Sequence, residues 1–178
     1  MELEYWFEMP NKWTFRMKKL RKFITNFIYE LPKGSEILIP FAGMYRFDKF
    51  IFSDYNFIYN DINLNIESTH NINAYKLVWL YERESFNCII ADPPYSVYAA
   101  HKYYKLHNYT EITVWRKAAD YLLKPGGIYI ELGWNSSGLR KSIANKISLG
   151  VCCTGGNHRD ILILVQRKRE HDNVKPLF

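Results

Sequence analysis

Apolar residues recur along the chain in short runs, separated by segments with helical periodicity. Six runs predict strands, at Glu36–Pro40, Phe57–Asn60, Phe86–Ala91, Ile128–Leu132, Ser148–Thr154 and Arg159–Gln166. Helices are predicted between them, at about Thr14–Glu30, Tyr45–Phe52, Ala74–Tyr81, Thr110–Leu123 and from after Gly138 to about Lys146. This alternation of strands and helices is typical of an α/β domain with a mostly parallel sheet.

The end of the chain has a different pattern. The last two strand-like runs are separated by Gly155-Gly156, which predicts a hairpin and therefore an antiparallel edge on the sheet. The sequence shows no internal repeat and no linker. We therefore expect one domain over residues 1–178, with its core at about 11–168 and loosely held ends at 1–10 and 169–178.

Composition narrows the class of protein. The chain has 178 residues, 48% hydrophobic and 24% charged, which is the balance of a globular protein. No apolar run approaches the roughly 18 residues of a membrane span. The first residues are acidic, without the apolar core of a signal peptide. The three cysteines lack disulfide or zinc spacing. We expect a cytoplasmic protein with no membrane partner and no metal.

Positive charge is concentrated in one segment. The net charge is +6, and five of the seven residues from 16 to 22 are basic, namely Arg16, Lys18, Lys19, Arg21 and Lys22. Such a run can be the solvated face of a helix, or an edge that contacts phosphates. The two interpretations are compatible, and both stay open here.

Candidate chemistry follows three of the predicted strands. Ligands of parallel α/β sheets bind beyond the carboxyl ends of the strands. Three segments end strands there, at Pro40–Tyr45, Asn60-Asp61 and Asp92–Tyr95. The first has small residues, Ala42 and Gly43, but neither a dinucleotide-binding glycine motif nor a P-loop. Asp61 is placed where an acid can hold ribose hydroxyls.

The tetrapeptide Asp92-Pro93-Pro94-Tyr95 is the most specific signal. Two prolines fix the backbone and remove two N–H donors, so the segment offers rigid carbonyl acceptors. Asp92 adds a carboxylate acceptor, and Tyr95 adds a flat ring. Acceptors beside a stacking face suit a planar aromatic amine that is held by its NH₂ group.

These residues carry a resemblance to a known family. Asp92–Tyr95 after a buried strand resembles motif IV of the S-adenosylmethionine-dependent amino-methyltransferases, which modify adenine N6 or cytosine N4 in nucleic acids. The further marks are Pro40–Gly43, Asn60–Asn63, Asn73-Ala74, Gly133–Ser136 and Gly155–Asp160. The chain is most similar to small adenine-specific DNA methylases of phages, plasmids and prokaryotes. The resemblance covers residues 11–168 and implies a class I, Rossmann-like methyltransferase with a seven-stranded sheet and a C-terminal antiparallel hairpin.

The resemblance also implies roles for single residues. Pro40, Phe41, Ala42 and Gly43 would line the methionine part of S-adenosylmethionine, with Asp61 on its ribose and Asn73 near its adenine. Asp92 and the Pro93 carbonyl would accept hydrogen bonds from the target amine, and Tyr95 would stack on the base. The segment Pro10–Phe15 would close over the cofactor. One departure is Tyr45, which stands where many methyltransferases have a second glycine.

Nucleic-acid contacts are expected around the same site. Pro94, Trp134 and Asn135 could rim the pocket, and Lys102 and Lys105 lie among aromatic residues that suit stacking on bases and binding phosphates. The expected substrate is adenine N6 in DNA, with cytosine N4 second. An RNA base methyltransferase and an inactive nucleic-acid-binding subunit are the alternatives. We expect no large target-recognition domain, so specificity would be short, relaxed or supplied by a partner subunit or a homodimer.

Overall fold

The computed structural model describes residues 1–11, 13–47, 54–94, 111–155 and 160–170. It has seven strands, β1 Glu2–Phe7, β2 Glu36–Ile39, β3 Asn56–Tyr59, β4 Phe86–Ala91, β5 Leu123–Gly133, β6 Ala144–Cys153 and β7 Ile161–Lys168. Its described helices are α1 Lys18–Tyr29, α2 Ile112–Leu122 and the short 3-10 helices Thr14–Arg16 and Ala74–Trp79. In the described part of the chain, no helix has the length and apolar character needed to cross a membrane.

All seven strands form one sheet in the order β1-β6-β7-β5-β4-β2-β3. Neighbouring strands are parallel, except that β7 is antiparallel to both β5 and β6. The predicted mostly parallel sheet with a C-terminal antiparallel hairpin is therefore confirmed. The hairpin does not form the edge, because β1 covers β6 and β7 lies between β5 and β6.

The sheet is packed between two apolar layers. Helix α1 buries a stripe of side chains at helical spacing, Leu20, Phe23, Ile24 and Ile28, against one face. Helix α2 and the 3-10 helix Ala74–Trp79 cover the other face of the central strands. β4 contacts both layers, which explains why Phe86–Ala91 reads as one continuous apolar run.

One predicted loose end is instead a strand. We expected residues 1–10 to be loosely held, but Glu2–Phe7 forms β1 and pairs in parallel with β6, so that Glu2 lies beside Ser148 and Phe7 beside Cys153. Trp6 anchors the strand by packing on Phe23, with ring centroids 5.3 Å apart. The prediction was wrong because most of β1 is exposed, so its sequence lacks the apolar pattern of a buried strand.

Two helix predictions also require correction. The segment after Gly138 forms turns, and β6 begins already at Ala144. Gly138 has a φ of +53°, which a helix does not allow. The predicted helix Tyr45–Phe52 is not helical at residues 45–47, and its remainder lies outside the described residues.

Candidate functional site

The strand order creates a switch point between β2 and β4. From β2 the chain continues to β3 on one side, and it later returns as β4 on the other side of β2. Ile37 lies beside Cys88 and Leu38 beside Ile89, so the two strands end at the same edge of the sheet. A crevice outside the carboxyl ends of strands at such a point is where open α/β sheets bind ligands. Pro40–Gly43 and Asp92–Pro94 both follow strands at this crevice.

The loop after β2 is held by the end of β3. The Asp61 carboxylate accepts hydrogen bonds from the backbone N–H of Gly43 and from that of Asn63, each at 2.9 Å. The N–H of Ala42 donates to the carbonyl of Asn60, also at 2.9 Å. Gly43 has a φ of +55°, a conformation that disfavours side chains. Asp61 therefore fixes the backbone path of the loop predicted to hold the cofactor.

Asn60 extends this arrangement to the segment before Asn73. Its side-chain amide donates to the carbonyls of Pro40 and Ile72, both at 3.0 Å, and its side-chain oxygen accepts the N–H of Ile72 at 3.2 Å. Asn60 is fully buried. Asn73 is the next residue and precedes the 3-10 helix. The buried amide thus ties Pro40 to the residue before Asn73, and Asp61 follows Asn60 directly in the chain.

Two aromatic contacts are made at this loop among the described residues. A Cβ added to Gly43 would lie 3.3 Å from the Trp13 ring, so Trp13 packs against the loop. Phe41 packs edge-on against Trp115 of α2, with ring centroids 5.3 Å apart. Trp13 belongs to the segment Pro10–Phe15 that is predicted to close over the cofactor, whereas the Phe41 ring is turned towards the helix α2.

The Asp92 segment follows β4 directly. Asp92 and Pro94 are half-buried, and Pro93 is buried. Ala91 lies beside Glu131 of β5, so the loop that follows β5 begins at the same edge. Trp134 and Asn135 occupy that loop and are exposed. Tyr95, Lys102 and Lys105 lie outside the described residues.

A buried polar network joins β5, α2 and this loop. It was not predicted from the sequence. Glu131 is 6% exposed and accepts a hydrogen bond from the Tyr129 hydroxyl at 2.5 Å. Arg116 donates to both of its carboxylate oxygens, at 3.0 and 2.5 Å. The sequence contains one sign of this network, because Glu131 is a charged residue inside the apolar run 128–132. Burial, the charge of Glu131 and its hydrogen bond raise the pKa of the Tyr129 hydroxyl well above its usual value.

The fold has many solved relatives, although no protein-family model and no curated sequence matches the chain. The structure is similar to that of TrmN from Thermus thermophilus, with a TM-score of 0.62 and 16% identity, over 85% of this chain and 49% of that one. An rRNA methylase from Streptococcus thermophilus matches with a TM-score of 0.56 and 14% identity, over 84% of this chain and 97% of that one. The N-methyltransferase NodS from Bradyrhizobium japonicum, solved with S-adenosyl-L-homocysteine, matches with a TM-score of 0.59 and 13% identity, over 90% and 89%.

The chain has the class I methyltransferase fold. This chain spans about half the length of TrmN, 49%, and nearly the full length of the rRNA methylase, 97%. At identities of 13–16% the likeness concerns the fold alone, not the residues of the site.

The basic segment lies at the site edge of the methyltransferase fold. Glu8 follows β1, and its carboxylate accepts the N–H groups of Lys19 and Leu20 at 2.9 and 3.0 Å, which caps the N-terminus of α1. Arg16, Lys18, Lys19 and Lys22 are exposed. Arg21 instead lies over the Tyr45 ring, 5.3 Å from its centroid, and donates to the Phe15 carbonyl. Four of the five basic side chains are therefore on a solvated surface near the strand ends.

Cys88 and Cys152 do not form a reactive site. Cys88 is fully buried in β4, and burial raises the pKa of its thiol. Burial, followed by the charge of Glu8, raises the pKa of Cys152 to about 11. Both thiols stay protonated near neutral pH, so neither is a ready nucleophile. In the described ranges, no group of three His, Cys, Asp or Glu side chains is placed to hold a metal ion.

Proposed function

We propose that this chain is an S-adenosylmethionine-dependent methyltransferase that acts on an exocyclic amino group of a nucleic-acid base. Adenine N6 in DNA is the preferred target, and cytosine N4 is second. One observation supports the proposal: β2 and β4 are parallel neighbours that end at the same edge of the sheet, and the segments Pro40–Gly43 and Asp92–Pro93 follow them there. This is the ligand-binding position of an open α/β sheet.

The residues at the switch point fit the proposed cofactor. Each carboxylate oxygen of Asp61 accepts one backbone N–H and has a second lone pair, so both can still accept a ribose hydroxyl. Gly43 has no side chain, which leaves room for the Trp13 ring to pack against the loop. Pro40, Phe41 and Ala42 would line the methionine part and Asn73 the adenine. Trp13, packed on Gly43, would cover the loop. When bound, the cofactor supplies an electrophilic methyl group on a sulfonium.

Asp92 and Pro93 would orient the target amine. The lone pair of such an amine is delocalised into its ring, which makes it a poor nucleophile. Accepting its two N–H protons at the Asp92 carboxylate and the Pro93 carbonyl favours a pyramidal nitrogen whose lone pair is directed away from both acceptors. Two prolines hold these acceptors rigidly. Catalysis would then come from orientation and from stabilisation of the developing positive charge.

The rest of the proposed site would bind nucleic acid. Tyr95 would stack on the target base, which must leave the helical stack to reach it. Pro94, Trp134 and Asn135 would rim the pocket. Lys102, Lys105 and the exposed lysines of α1 would contact phosphates. Because this surface can position nucleic acid without reading its sequence, we propose that a partner subunit or a second copy supplies any specificity.

An RNA base is the second candidate substrate. One of the similar folds belongs to an rRNA methylase. The basic surface does not distinguish the two polymers, because phosphate contacts are common to both.

The test is methyl transfer from cofactor labelled on the methyl group. Duplex DNA, single-stranded DNA and ribosomal RNA are offered in parallel, and the products are digested to nucleosides. We expect N6-methyladenine in DNA. Methylated guanine or adenine in RNA alone would favour the RNA candidate, and no transfer to any substrate would favour an inactive subunit.

Two variants connect the activity to the site. Asp92→Ala should lose transfer by at least about 100-fold while it still binds S-adenosylhomocysteine, because the residue orients the amine. Asp54→Ala is the matched control, since Asp54 precedes β3, at the opposite end of that strand from Asp61, and its carboxylate pairs with the exposed Lys33 at 3.0 Å. Near-normal turnover of Asp92→Ala would remove Asp92 from the active site.

A further inference from the structure

A continuous chain of contacts runs through the interior from the loop after β2 to the loop after β5. It begins at Phe41, whose ring packs on Trp115. The Trp115 indole N–H donates to the Tyr129 hydroxyl at 3.1 Å, and that hydroxyl donates to Glu131 at 2.5 Å. Trp115, Tyr129 and Glu131 are all buried. One set of side chains therefore touches the loops proposed to hold the cofactor and to rim the base pocket.

Arg116 continues this chain to the surface. Its guanidinium donates to both oxygens of Glu131 and, at 2.9 Å, to the Ser137 hydroxyl. The Ser137 hydroxyl donates in turn to the Asn135 side-chain oxygen at 2.5 Å, and that oxygen also accepts the Ser137 N–H at 3.0 Å. Asn135 follows the exposed Trp134 directly. The short polar loop 134–137 is thus tied to a buried ion pair.

The ion pair has a geometry that a simple stabilising role does not require. A buried carboxylate is costly unless it is paired and hydrogen-bonded, and well-packed apolar residues often replace such pairs without loss of stability. Burial alone lowers the pKa of the Arg116 guanidinium, but the hydrogen bonds and charge of Glu131 outweigh it, and the pKa is raised. Arg116 thus stays charged, and its planar fork can serve Glu131 and Ser137 at once.

We propose that Arg116 and Glu131 are positioning residues that hold the loop 134–137 beside Asp92 for binding of the target base. Ala91, which precedes Asp92, lies next to Glu131 in the sheet, so the ion pair fixes the loop against the strand that carries the amine acceptors. The inference rests on the proposed function for its ligand. It adds that affinity for the nucleic acid depends on Arg116, a residue of α2.

Binding of an adenine-containing, fluorescein-labelled single-stranded oligonucleotide tests the inference without requiring turnover. Ser137→Ala breaks the link at its exposed end and should weaken oligonucleotide binding about fivefold, the change given by loss of one ordinary hydrogen bond. Arg116→Lys keeps the charge that Glu131 needs but loses the fork, and should weaken binding at least as much. Ser142→Ala, at another exposed serine, should change nothing.

The loop itself is observed by fluorine NMR of protein labelled with 5-fluorotryptophan. Trp134→Phe identifies the Trp134 resonance, and Trp79, which is also exposed, is the internal control. We expect Arg116→Lys and Ser137→Ala to shift or broaden the Trp134 resonance and to leave that of Trp79 and the affinity for S-adenosylhomocysteine unchanged. A structural role alone would lower the melting temperature without this selectivity.

Two results would overturn the inference. One is an unchanged Trp134 resonance in folded Arg116→Lys, which would show that the ion pair does not hold the loop. The other is a changed resonance with unchanged oligonucleotide affinity, which would show that the loop does not serve binding. Failure of the proposed function has a different signature, because wild-type protein would then transfer no methyl group whatever the variants do.

Discussion

Replacing Asp61 with alanine removes the carboxylate that holds two backbone N–H groups at the switch point. Both hydrogen bonds are 2.9 Å long, and one of them fixes Gly43 in its left-handed conformation. A hydrogen bond to a charged group contributes about 1.5–3 kcal/mol when buried, and Asp61 is only half-buried. We therefore expect Asp61→Ala to lower the free energy of unfolding by about 2 kcal/mol, or the melting temperature by about 4–8 °C.

Asp61→Asn separates this scaffold role from ligand binding. The asparagine oxygen can still accept one N–H, so the loss of stability should be near 1 kcal/mol. Its neutral amide is a weaker acceptor for ribose hydroxyls than a carboxylate, so binding of S-adenosylhomocysteine should weaken about 10–100-fold. Titration calorimetry measures the affinity, and thermal unfolding measures the stability of the same samples.

The control is Asp54→Asn, which changes a half-exposed carboxylate that pairs with the exposed Lys33. It should leave both stability and affinity within error, since exposed ion pairs contribute little. A stable Asp61→Asn variant with wild-type affinity would refute the reasoning, because the carboxylate would then serve the loop and not the ribose.

Three further predictions concern stability. Glu8→Ala should cost about 1 kcal/mol in denaturant unfolding, because it uncaps the N-terminus of α1, and an unchanged midpoint would contradict that role. Gly138→Ala should lower the free energy of unfolding by about 3 kcal/mol, since at a φ of +53° the added Cβ would overlap the buried Gln166 side chain. Gly34→Ala is the control, because Gly34 has a φ of +78° with open space around it, and should cost only about 1 kcal/mol. Equal costs would rule out the clash. The pKa of Cys152 is about 11, above the ordinary 9.0, so folding favours the protonated thiol. The contribution of this thiol to the stability of the folded protein is fully present below pH 9 and is lost as the pH rises through 11. Between pH 8 and 11 the free energy of unfolding should therefore fall less in Cys152→Ala than in the wild type. Parallel pH profiles of the two proteins would contradict this.

The central strands were predictable because their sequences carry the signal themselves. Phe86–Ala91 is uniformly apolar and is bounded by polar residues, and the structure has β4 at the same residues. Since strand ends of a parallel sheet meet at one edge, locating the strands also located the loops after β2 and β4. The gathering of Pro40 and Asp61 at that edge follows from the same reasoning.

The remaining features depend on contacts that no local pattern reveals. β1 is exposed along one side and obtains its register from β6, so Glu2–Phe7 lacks the periodicity of a buried strand. Glu131 looks like an isolated polar residue of a strand until Arg116 is brought against it from α2. Gly138 is compatible with a helix by spacing and excluded from one by its φ, which only the packed structure determines.

The pairing of β1 with β6 has a consequence for how the chain is made. Glu2 lies beside Ser148, which is 146 residues further along the chain. On a ribosome β1 is made well before β6 and stays without this partner until β6 has been synthesised, and pairings of such long sequence separation form slowly. During that interval Leu3, Tyr5 and Phe7, which stay more than half exposed even in the finished sheet, are available to chaperones or to other nascent chains. β1 can therefore be added to the sheet only after β6 has been made.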